Sequence, residues 1–146
     1  MHRLTYKRLL SESDRDIAVI CAEMDHPDVA RFLNYDKEHY WSYVTTSTNV
    51  YYYKVYCNDR LIGSIHLEIE NSTMYMSILV FKNDRNQGLG KRIIDDLLSG
   101  EIPIQYERIE VFVDSTNCAS VRLFEQCGFV CHSVDDGLLN YVFVMS

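Results

Sequence analysis

The chain has 146 residues, of which 47% are hydrophobic and 24% are charged, with a formal net charge of −7. This composition argues against a disordered chain and predicts a single folded domain, residues 1–146, with a substantial core. The negative charge argues against nucleic acid or an anionic membrane as the main partner and favours a cationic acceptor such as an amine.

The chain shows no signal for a membrane or for export. Its apolar runs are shorter than the roughly 18 residues of a membrane span, and its first ten residues, MHRLTYKRLL, lack an apolar core and a cleavage site. The five cysteines are odd in number and form no Cys-x-x-Cys pair, which is typical of reduced thiols. The histidines show no HxxxH or HExxH spacing. We therefore expect a cytoplasmic protein without a metal site.

The hydrophobic pattern predicts seven strands and five helices in mixed order. Such an order, with hairpin turns, indicates an α/β or α+β domain with a mixed sheet. The predicted strands are Leu4–Leu10, Val50–Cys57, Leu61–Glu70, Met74–Phe81, Ile109–Asp114, Phe129–Val134 and Leu138–Met145. The predicted helices are Asp14–Met24, Pro27–Leu33, Lys37–Thr46, Gly88–Leu98 and Cys118–Gln126.

The third predicted helix carries three aromatic residues close together, Tyr40, Trp41 and Tyr43. These side chains either pack against the sheet or form one wall of a substrate pocket. The sequence leaves both interpretations open.

A glycine loop, Arg85–Gly90, joins the fourth predicted strand to the helix that follows it. A strand, glycine loop and helix in succession present backbone N–H groups and a helix N-terminus to an anion. The surrounding charge is +3, from four basic side chains against the single carboxylate of Asp84. The basic residues are Lys82, Arg85, Lys91 and Arg92. We therefore predict a phosphorylated ligand at this turn.

Spacing excludes two common phosphate-binding motifs. A P-loop that uses Lys91 needs a glycine five positions before Gly90, and that position is Arg85. A dinucleotide motif needs its third glycine where Ile93 stands. The pattern R/Q-x-x-G-x-G/A is met by Arg85, Gly88 and Gly90. Taken alone, a turn that merely needs glycine explains these residues equally well.

A second motif follows one helix and one strand later. Residues 117–129 read NCASVRLFEQCGF, which fits N-x-x-x-x-x-L-Y-E-x-x-G-F except that Phe124 stands at the tyrosine position. Together with the glycine loop and a strand order that agrees over nearly the whole chain, this motif resembles the GNAT superfamily of acyl-CoA N-acyltransferases.

The resemblance implies a mixed, mostly antiparallel sheet of about seven strands with flanking helices and a splay between the fourth and fifth strands. In this family the pantetheine arm of acetyl-CoA lies in that splay, where its amides satisfy unpaired strand backbone. Ile78, Leu79 and Val80 are implied to contact pantetheine through their backbone. Asn117 is implied to reach the cofactor near its thiol, although it also suits a plain helix N-cap. The implied pyrophosphate-binding residues are Arg85, Asn86, Gln87, Gly88, Leu89, Gly90 and Lys91.

The implied reaction is acetyl transfer from acetyl-CoA to a primary amine of a small molecule or of a peptide N-terminus, by direct attack on the thioester. The amine must lose a proton, and Glu68 is our preferred base because it lies mid-strand on a polar face. Tyr141 is a further acceptor-site candidate. Phe124 cannot protonate the leaving thiolate, so Cys127, Ser120, a tyrosine elsewhere or water must do so, and a thiol with a pKa of about 8.5 leaves readily. The other candidate bases are His66, Glu70, Glu110 and Asp114.

Two other functions stay open. The absent tyrosine motivates a non-catalytic module that binds acyl-CoA as a sensor or partner domain. A structural domain that has lost the cofactor is disfavoured because the glycine loop is intact. Dimers are frequent in the family, so a homodimer is one alternative for the oligomeric state, by analogy alone.

Overall fold

A computed structural model describes residues 3–33 and 35–145. These residues form seven strands, five α-helices and a short 3₁₀ turn at Lys82–Asp84. The strands are β1 (Leu4–Arg8), β2 (Val50–Cys57), β3 (Arg60–Glu70), β4 (Thr73–Val80), β5 (Arg108–Asp114), β6 (Val130–Asp135) and β7 (Leu138–Val144). The helices are α1 (Asp16–Met24), α2 (Pro27–Ala30), α3 (Tyr40–Thr46), α4 (Leu89–Leu98) and α5 (Cys118–Gln126). None of the helices in this part of the chain is long and apolar enough to cross a membrane.

All seven strands join one sheet in the order β1-β2-β3-β4-β5-β7-β6. Every neighbouring pair is antiparallel except β4 and β5, which are parallel. A parallel pair needs a crossover connection, and α4 supplies it. The predicted mixed, mostly antiparallel sheet with flanking helices is confirmed.

The strands β4 and β5 pair over only a short stretch. The paired positions are Thr73 with Arg108, Met74 with Ile109, and Tyr75 with Glu110. Beyond Tyr75, β4 continues along β3 while β5 continues along β7, so the two strands diverge. The predicted splay between the fourth and fifth strands is therefore present.

The predicted elements differ from the observed ones mainly at their ends. Both β1 and α2 are shorter than predicted. Helix α3 begins at Tyr40 rather than at Lys37, because Asp36 forms a separate turn before it. The Asp36 carboxylate accepts a hydrogen bond from the Glu38 N–H at 3.1 Å, and such local bonds compete with helix formation.

The sheet buries a core on each of its faces. On one, called the α4 face, α4 and α5 cover the apolar side chains of β3, β4 and β5. The buried stripe of α4 is Leu89, Ile93, Ile94 and Leu97. On the other, called the α3 face, α1 and α3 pack against β2 through Ile20 and Val44. Each fully buried aliphatic side chain contributes about 1.5–3 kcal/mol, so the two clusters hold the sheet between its helices.

Successive side chains of β3 point to opposite faces of the sheet. Ile65 and Leu67 are fully buried in the cluster on the α4 face. His66 and Glu68 therefore lie on the α3 face.

Candidate active site

The splay directs strand backbone into the gap between β4 and β5. The Phe81 N–H donates to the Ile62 carbonyl at 2.9 Å, which marks a hydrogen-bonded pair at the end of the β3–β4 ladder. Hydrogen-bonded and non-hydrogen-bonded pairs alternate along an antiparallel ladder. The backbone of Leu79 therefore bonds toward β3, whereas Ile78 and Val80 direct their N–H and C=O groups into the gap.

Strand β5 lines the other side of the same gap. The Ser115 N–H donates to the Gly137 carbonyl at 2.8 Å, so the same alternation applies to the β5–β7 ladder. Phe112 and Asp114 therefore direct their backbone groups away from β7 and into the gap. A ligand with amide groups can satisfy both edges as an added strand does. Among the three predicted pantetheine-contacting residues, Leu79 has its backbone turned away from this gap.

The glycine loop enters α4 through Gly88. Gly88 has a φ of +74°, a left-handed conformation that a side chain strains, and a Cβ built there meets no atom within 4 Å. Asn86, Gln87 and Gly88 are exposed, whereas Leu89 is buried and offers only its backbone. Because Gly88 has no side chain to cap α4, the first N–H groups of that helix stay accessible to an anion.

The second glycine of the loop has a different role. A Cβ on Gly90 would lie 3.0 Å from Cδ2 of Leu123 in α5. The small size of Gly90 therefore lets α4 and α5 approach each other, a reason for glycine that the sequence does not show.

The two cations among the implied pyrophosphate-binding residues, Arg85 and Lys91, make contacts within the protein. Arg85 donates from Nε to the Val80 carbonyl at 3.3 Å and places its guanidinium 3.8 Å from the Asp28 carboxylate. Lys91 bonds to Asp95, one turn along α4, at 2.8 Å. The side chains of Arg85 and Lys91 are 30% and 52% exposed. Both can therefore turn toward a phosphate without crossing the core.

Asn117 forms the N-cap of α5. Its Oδ1 accepts a hydrogen bond from the Ser120 N–H at 3.3 Å. The capping role is thus present, and the contact of Asn117 with a cofactor remains a prediction.

Phe124 and Tyr141 both belong to the core on the α4 face. Phe124 is 6% exposed, and its ring lies 5.2 Å from that of Phe129. The hydroxyl of Tyr141 donates to Oε2 of Glu125 at 2.8 Å. Burial, together with this hydrogen bond, raises the pKa of Tyr141 to about 12. Tyr141 therefore keeps its proton at neutral pH.

Cys127 ends α5 and packs against the same core. Burial raises the pKa of its thiol, and the nearby Asp95 carboxylate adds to the effect. The thiol is therefore protonated at neutral pH. This state suits a proton donor, whereas a nucleophilic cysteine must be a thiolate.

Glu68 lies beneath α3 at one end of a chain of hydrogen bonds. Its Oε1 lies 3.2 Å from Nε2 of His66, and Nδ1 of His66 lies 2.7 Å from the Tyr40 hydroxyl. A hydrogen bond to Glu68 raises the pKa of Tyr43 to about 12. Burial lowers the pKa of His66, so its imidazole is neutral near pH 7.

This chain of contacts is not predicted by the sequence. From the sequence, Tyr40 and Tyr43 are either packing residues or part of a pocket wall, and His66 is a candidate base with no predicted partner. The available signal was a Tyr-x-x-Tyr spacing in a helix and a His-x-Glu spacing in a strand. Nothing in the sequence shows that this helix faces that strand.

Two stacked aromatic rings bridge the splay on the α3 face. The ring centroids of Tyr75 in β4 and Phe112 in β5 are 6.4 Å apart, and their planes differ by 11°. Tyr75 is the direct partner of Glu68 in the β3–β4 register, and Phe112 is 56% exposed. This part of the surface thus combines a carboxylate with aromatic faces, and both attract an ammonium group.

Two of the other candidate bases have close polar partners. Glu110 accepts from Nδ2 of Asn140 at 3.2 Å and pairs with the arginine two positions before it. Asp114 accepts from the N–H and hydroxyl of Thr116, and these bonds lower its pKa. Glu68 remains the preferred base, with 28% of its side chain exposed.

The sheet register separates Tyr141 from Glu68. Glu68 pairs with Tyr75, and Tyr75 pairs with Glu110. Glu110 in turn pairs with Val142. Directly paired residues share a face of the sheet, so Tyr141 lies on the face opposite Glu68. The structure does not bring these two candidates into one pocket.

A sheet whose parallel strand pair splays beside a glycine loop and an accessible helix N-terminus defines the fold of the acyl-CoA N-acyltransferases. A family model described as "Acetyltransferase (GNAT) domain" matches residues 20–138, and the chain belongs to this family. The resemblance seen in the sequence is thereby confirmed. A comparison with curated protein sequences finds no significant match. Residues 3–33 and 35–145 contain no group of three or more His, Cys, Asp or Glu side chains placed to hold a metal ion.

Solved structures share the fold over nearly the whole chain. A domain from Methanocaldococcus jannaschii has a TM-score of 0.82 at 18% identity and covers 99% of this chain and 100% of its own. The Campylobacter jejuni N-acetyltransferase PseH, in complex with acetyl coenzyme A, has a TM-score of 0.78 at 14% identity. The match covers 99% of this chain and 100% of the PseH chain. The Vibrio cholerae spermidine N-acetyltransferase, in complex with CoA and spermine, has a TM-score of 0.79 at 18% identity. The match covers 97% of this chain and 95% of the V. cholerae chain. At these identities the likeness establishes the shared fold.

Proposed function

We propose that the protein is an N-acetyltransferase that moves an acetyl group from acetyl-CoA to a primary amine of a small molecule or of a peptide N-terminus. The observation that supports this most directly is the gap between β4 and β5, which is edged by strand backbone and ends at the glycine loop. Membership of the GNAT family supports acetyl transfer as the chemistry.

Acetyl-CoA fits this gap as the co-substrate. The backbone groups of Ile78 and Val80 are directed to pair with the amides of pantetheine. The accessible N–H groups at Gly88 and the start of α4, with the side chains of Arg85 and Lys91, suit the pyrophosphate. The C. jejuni neighbour was solved with acetyl coenzyme A, which supports the same co-substrate here. When bound, acetyl-CoA supplies the thioester whose carbonyl carbon accepts the amine.

The α3 face supports an amine as the acceptor. Glu68 offers a carboxylate beside the stacked rings of Tyr75 and Phe112, and the chain as a whole carries a net charge of −7. The V. cholerae neighbour acts on spermidine and was solved with spermine, which supports the class of acceptor rather than a particular compound.

Direct attack on a thioester requires a neutral amine. Glu68 takes one proton from the substrate ammonium, and the freed nitrogen bonds to the thioester carbonyl carbon as the carbon–sulfur bond breaks. A backbone N–H of β4 that is directed into the gap is our candidate donor to the carbonyl oxygen as charge develops. As the amide forms, the nitrogen releases its second proton to solvent, so the products are an acetamide and a CoA thiolate. The thiolate takes up a proton from solvent, since a thiol pKa of about 8.5 makes it a good leaving group, and Cys127 is the alternative donor.

Calorimetry with acetyl-CoA and a thiol-release assay across amines and peptides test the proposal. We expect acetyl-CoA to bind and thiol to be released with at least one amine. No binding at millimolar concentration would overturn every CoA-dependent function.

A non-catalytic acyl-CoA sensor is the second candidate function. The observation that favours it is Phe124, a buried phenyl ring at the position where the family motif has tyrosine. Tight binding of acetyl-CoA without thiol release from any acceptor supports the sensor.

We also propose a cytoplasmic location, because all five cysteines are unpaired, as in a reducing compartment. A homodimer is a further proposal. Strand β6 ends the sheet with every residue exposed, and an exposed edge strand is open to pairing with another chain. Sedimentation analysis decides between monomer and dimer.

A further inference from the structure

Two tyrosines of α3 meet two polar residues of β3. Tyr40 and Tyr43 are three residues apart, so both lie on the same side of the helix. His66 and Glu68 are two residues apart on a strand and so share one face of the sheet. The Tyr40 hydroxyl lies 2.7 Å from Nδ1 of His66, and Tyr43 lies close enough to Glu68 for that carboxylate to raise the Tyr43 pKa. The matched spacings therefore join helix and strand at two neighbouring points.

The partners of His66 define which of its ring nitrogens carries the proton. Burial raises the pKa of Tyr40, so the Tyr40 hydroxyl keeps its proton and donates it to Nδ1 of His66 at 2.7 Å. The neutral imidazole has one proton, which must then be on Nε2. The Nε2–H group donates to Oε1 of Glu68 at 3.2 Å.

We propose that His66, with its tautomer set by Tyr40, is a positioning residue that holds the Glu68 carboxylate in one orientation for proton removal from the acceptor amine. This inference rests on the proposed function, in which Glu68 is the base. A catalytic group that is already held in the productive geometry lowers the barrier of the reaction. Because the Glu68 side chain is 28% exposed, the carboxylate remains accessible to an amine while His66 holds it.

The other groups around Glu68 do not replace these donors. The titratable groups that face it are Tyr43 from α3, Tyr52 from β2, Tyr75 from β4, His66 and Glu70 from β3, and Glu110 from β5, one strand further. Tyr52 donates its hydroxyl to Ser64 at 2.8 Å instead. The carboxylates of Glu70 and Glu110 accept hydrogen bonds and cannot donate one to Glu68. His66 therefore supplies the hydrogen bond that orients the Glu68 carboxylate.

The first test measures the order of the Glu68 side chain directly. Side-chain ¹³C relaxation, with Glu68→Gln to assign the signal, compares the Glu68 order parameter in the wild type and in two variants of His66. His66→Leu removes the donor and should lower the Glu68 order parameter. His66→Gln keeps an amide N–H near the position of Nε2 and should reverse most of that change. An unaltered Glu68 order parameter in His66→Leu overturns the inference.

The second test concerns the tautomer. Imidazole ¹⁵N signals should show the Nε2–H form of His66 in the wild type and a mixture of both tautomers in Tyr40→Phe. Tyr52→Phe is the matched control, because it removes a buried hydroxyl from the same face that contacts Ser64 rather than His66. Retention of the Nε2–H form alone in Tyr40→Phe contradicts the role given to Tyr40.

The third test is the rate of acetyl transfer to an amine acceptor. In His66→Leu, kcat/KM should fall about tenfold, a fraction of the 10²–10⁴ that a general base supplies, while acetyl-CoA affinity stays unchanged. His66→Gln, which restores the donor, should recover most of the rate. A loss of rate that His66→Gln does not recover shows that His66 is merely structural. If the wild type releases no thiol with any amine, the proposed function fails together with proton removal by Glu68, whereas the orientation of Glu68 by His66 is judged by the NMR results.

Discussion

Gly88 and Gly100 lie at opposite ends of α4 with the same kind of backbone conformation. Their φ angles are +74° and +87°, and a Cβ built on either meets no atom within 4 Å. Only Gly88 belongs to the predicted phosphate site. We therefore expect Gly88→Ala and Gly100→Ala to destabilise the fold equally, and only Gly88→Ala to weaken acetyl-CoA binding.

The folding cost of both substitutions is set by φ, because neither new methyl group meets a neighbour. A non-glycine residue in the left-handed region costs about 1–2 kcal/mol. Each variant should therefore lose about 1–2 kcal/mol in the free energy of unfolding, measured by urea unfolding. This corresponds to a fall in Tm of about 2–8 °C.

The binding cost arises at the start of α4. If the alanine of the Gly88→Ala variant relaxes its φ, its own N–H group and that of Leu89 turn away from the phosphate position. Loss of one hydrogen bond to a charged group costs about 1.5–3 kcal/mol. The dissociation constant for acetyl-CoA, measured by calorimetry, should therefore rise about tenfold or more in Gly88→Ala.

Two results refute this reasoning. An equal loss of affinity in Gly100→Ala shows that binding follows global stability rather than the loop. Unchanged affinity in Gly88→Ala shows that the phosphates are not held at this helix start.

Three further substitutions separate chemistry from stability. Glu68→Gln should lower kcat/KM for the amine by about 10²–10⁴-fold without changing acetyl-CoA affinity in calorimetry; an unchanged rate removes Glu68 as the base. Tyr141→Phe, which deletes the hydroxyl bonded to Glu125, should cost about 1 kcal/mol in urea unfolding and leave kcat unchanged; a fall in kcat places that hydroxyl in the reaction. Lys54, 9% exposed, lies 2.6 and 3.0 Å from two aspartates. Lys54→Met should therefore cost about 1–3 kcal/mol in the same assay, and unchanged stability contradicts a net contribution from this cluster.

The glycine loop was predictable because it is local. The strand before it, the loop and α4 follow one another along the chain, so residue spacing carries their geometry. Gly88 is left-handed and precedes the first residue of α4, close to the predicted helix start. Residue spacing could not show that position 90 needs a glycine because Leu123 of α5 packs against it.

The backbone contacts of the splay were only partly predictable. The sequence places Ile78, Leu79 and Val80 on the strand before the glycine loop. Which of their N–H and C=O groups face the gap depends on the register between β3 and β4. That register comes from packing of both strands and directs Leu79 toward β3.

The amino-acid sequence by itself determined the family, the order of strands and helices along the chain, and the loop suited to a phosphate. Each of these follows from local residue spacing and hydrophobic periodicity. Only the tertiary structure decided how the acceptor side is arranged. Tyr40 and His66 are 26 residues apart in sequence and meet because α3 packs over β2, the neighbour of β3 in the sheet. Tyr141 and Glu68 lie on opposite faces because strand pairing sets side-chain direction. Contacts of this kind depend on register and packing between distant segments, which no local pattern encodes.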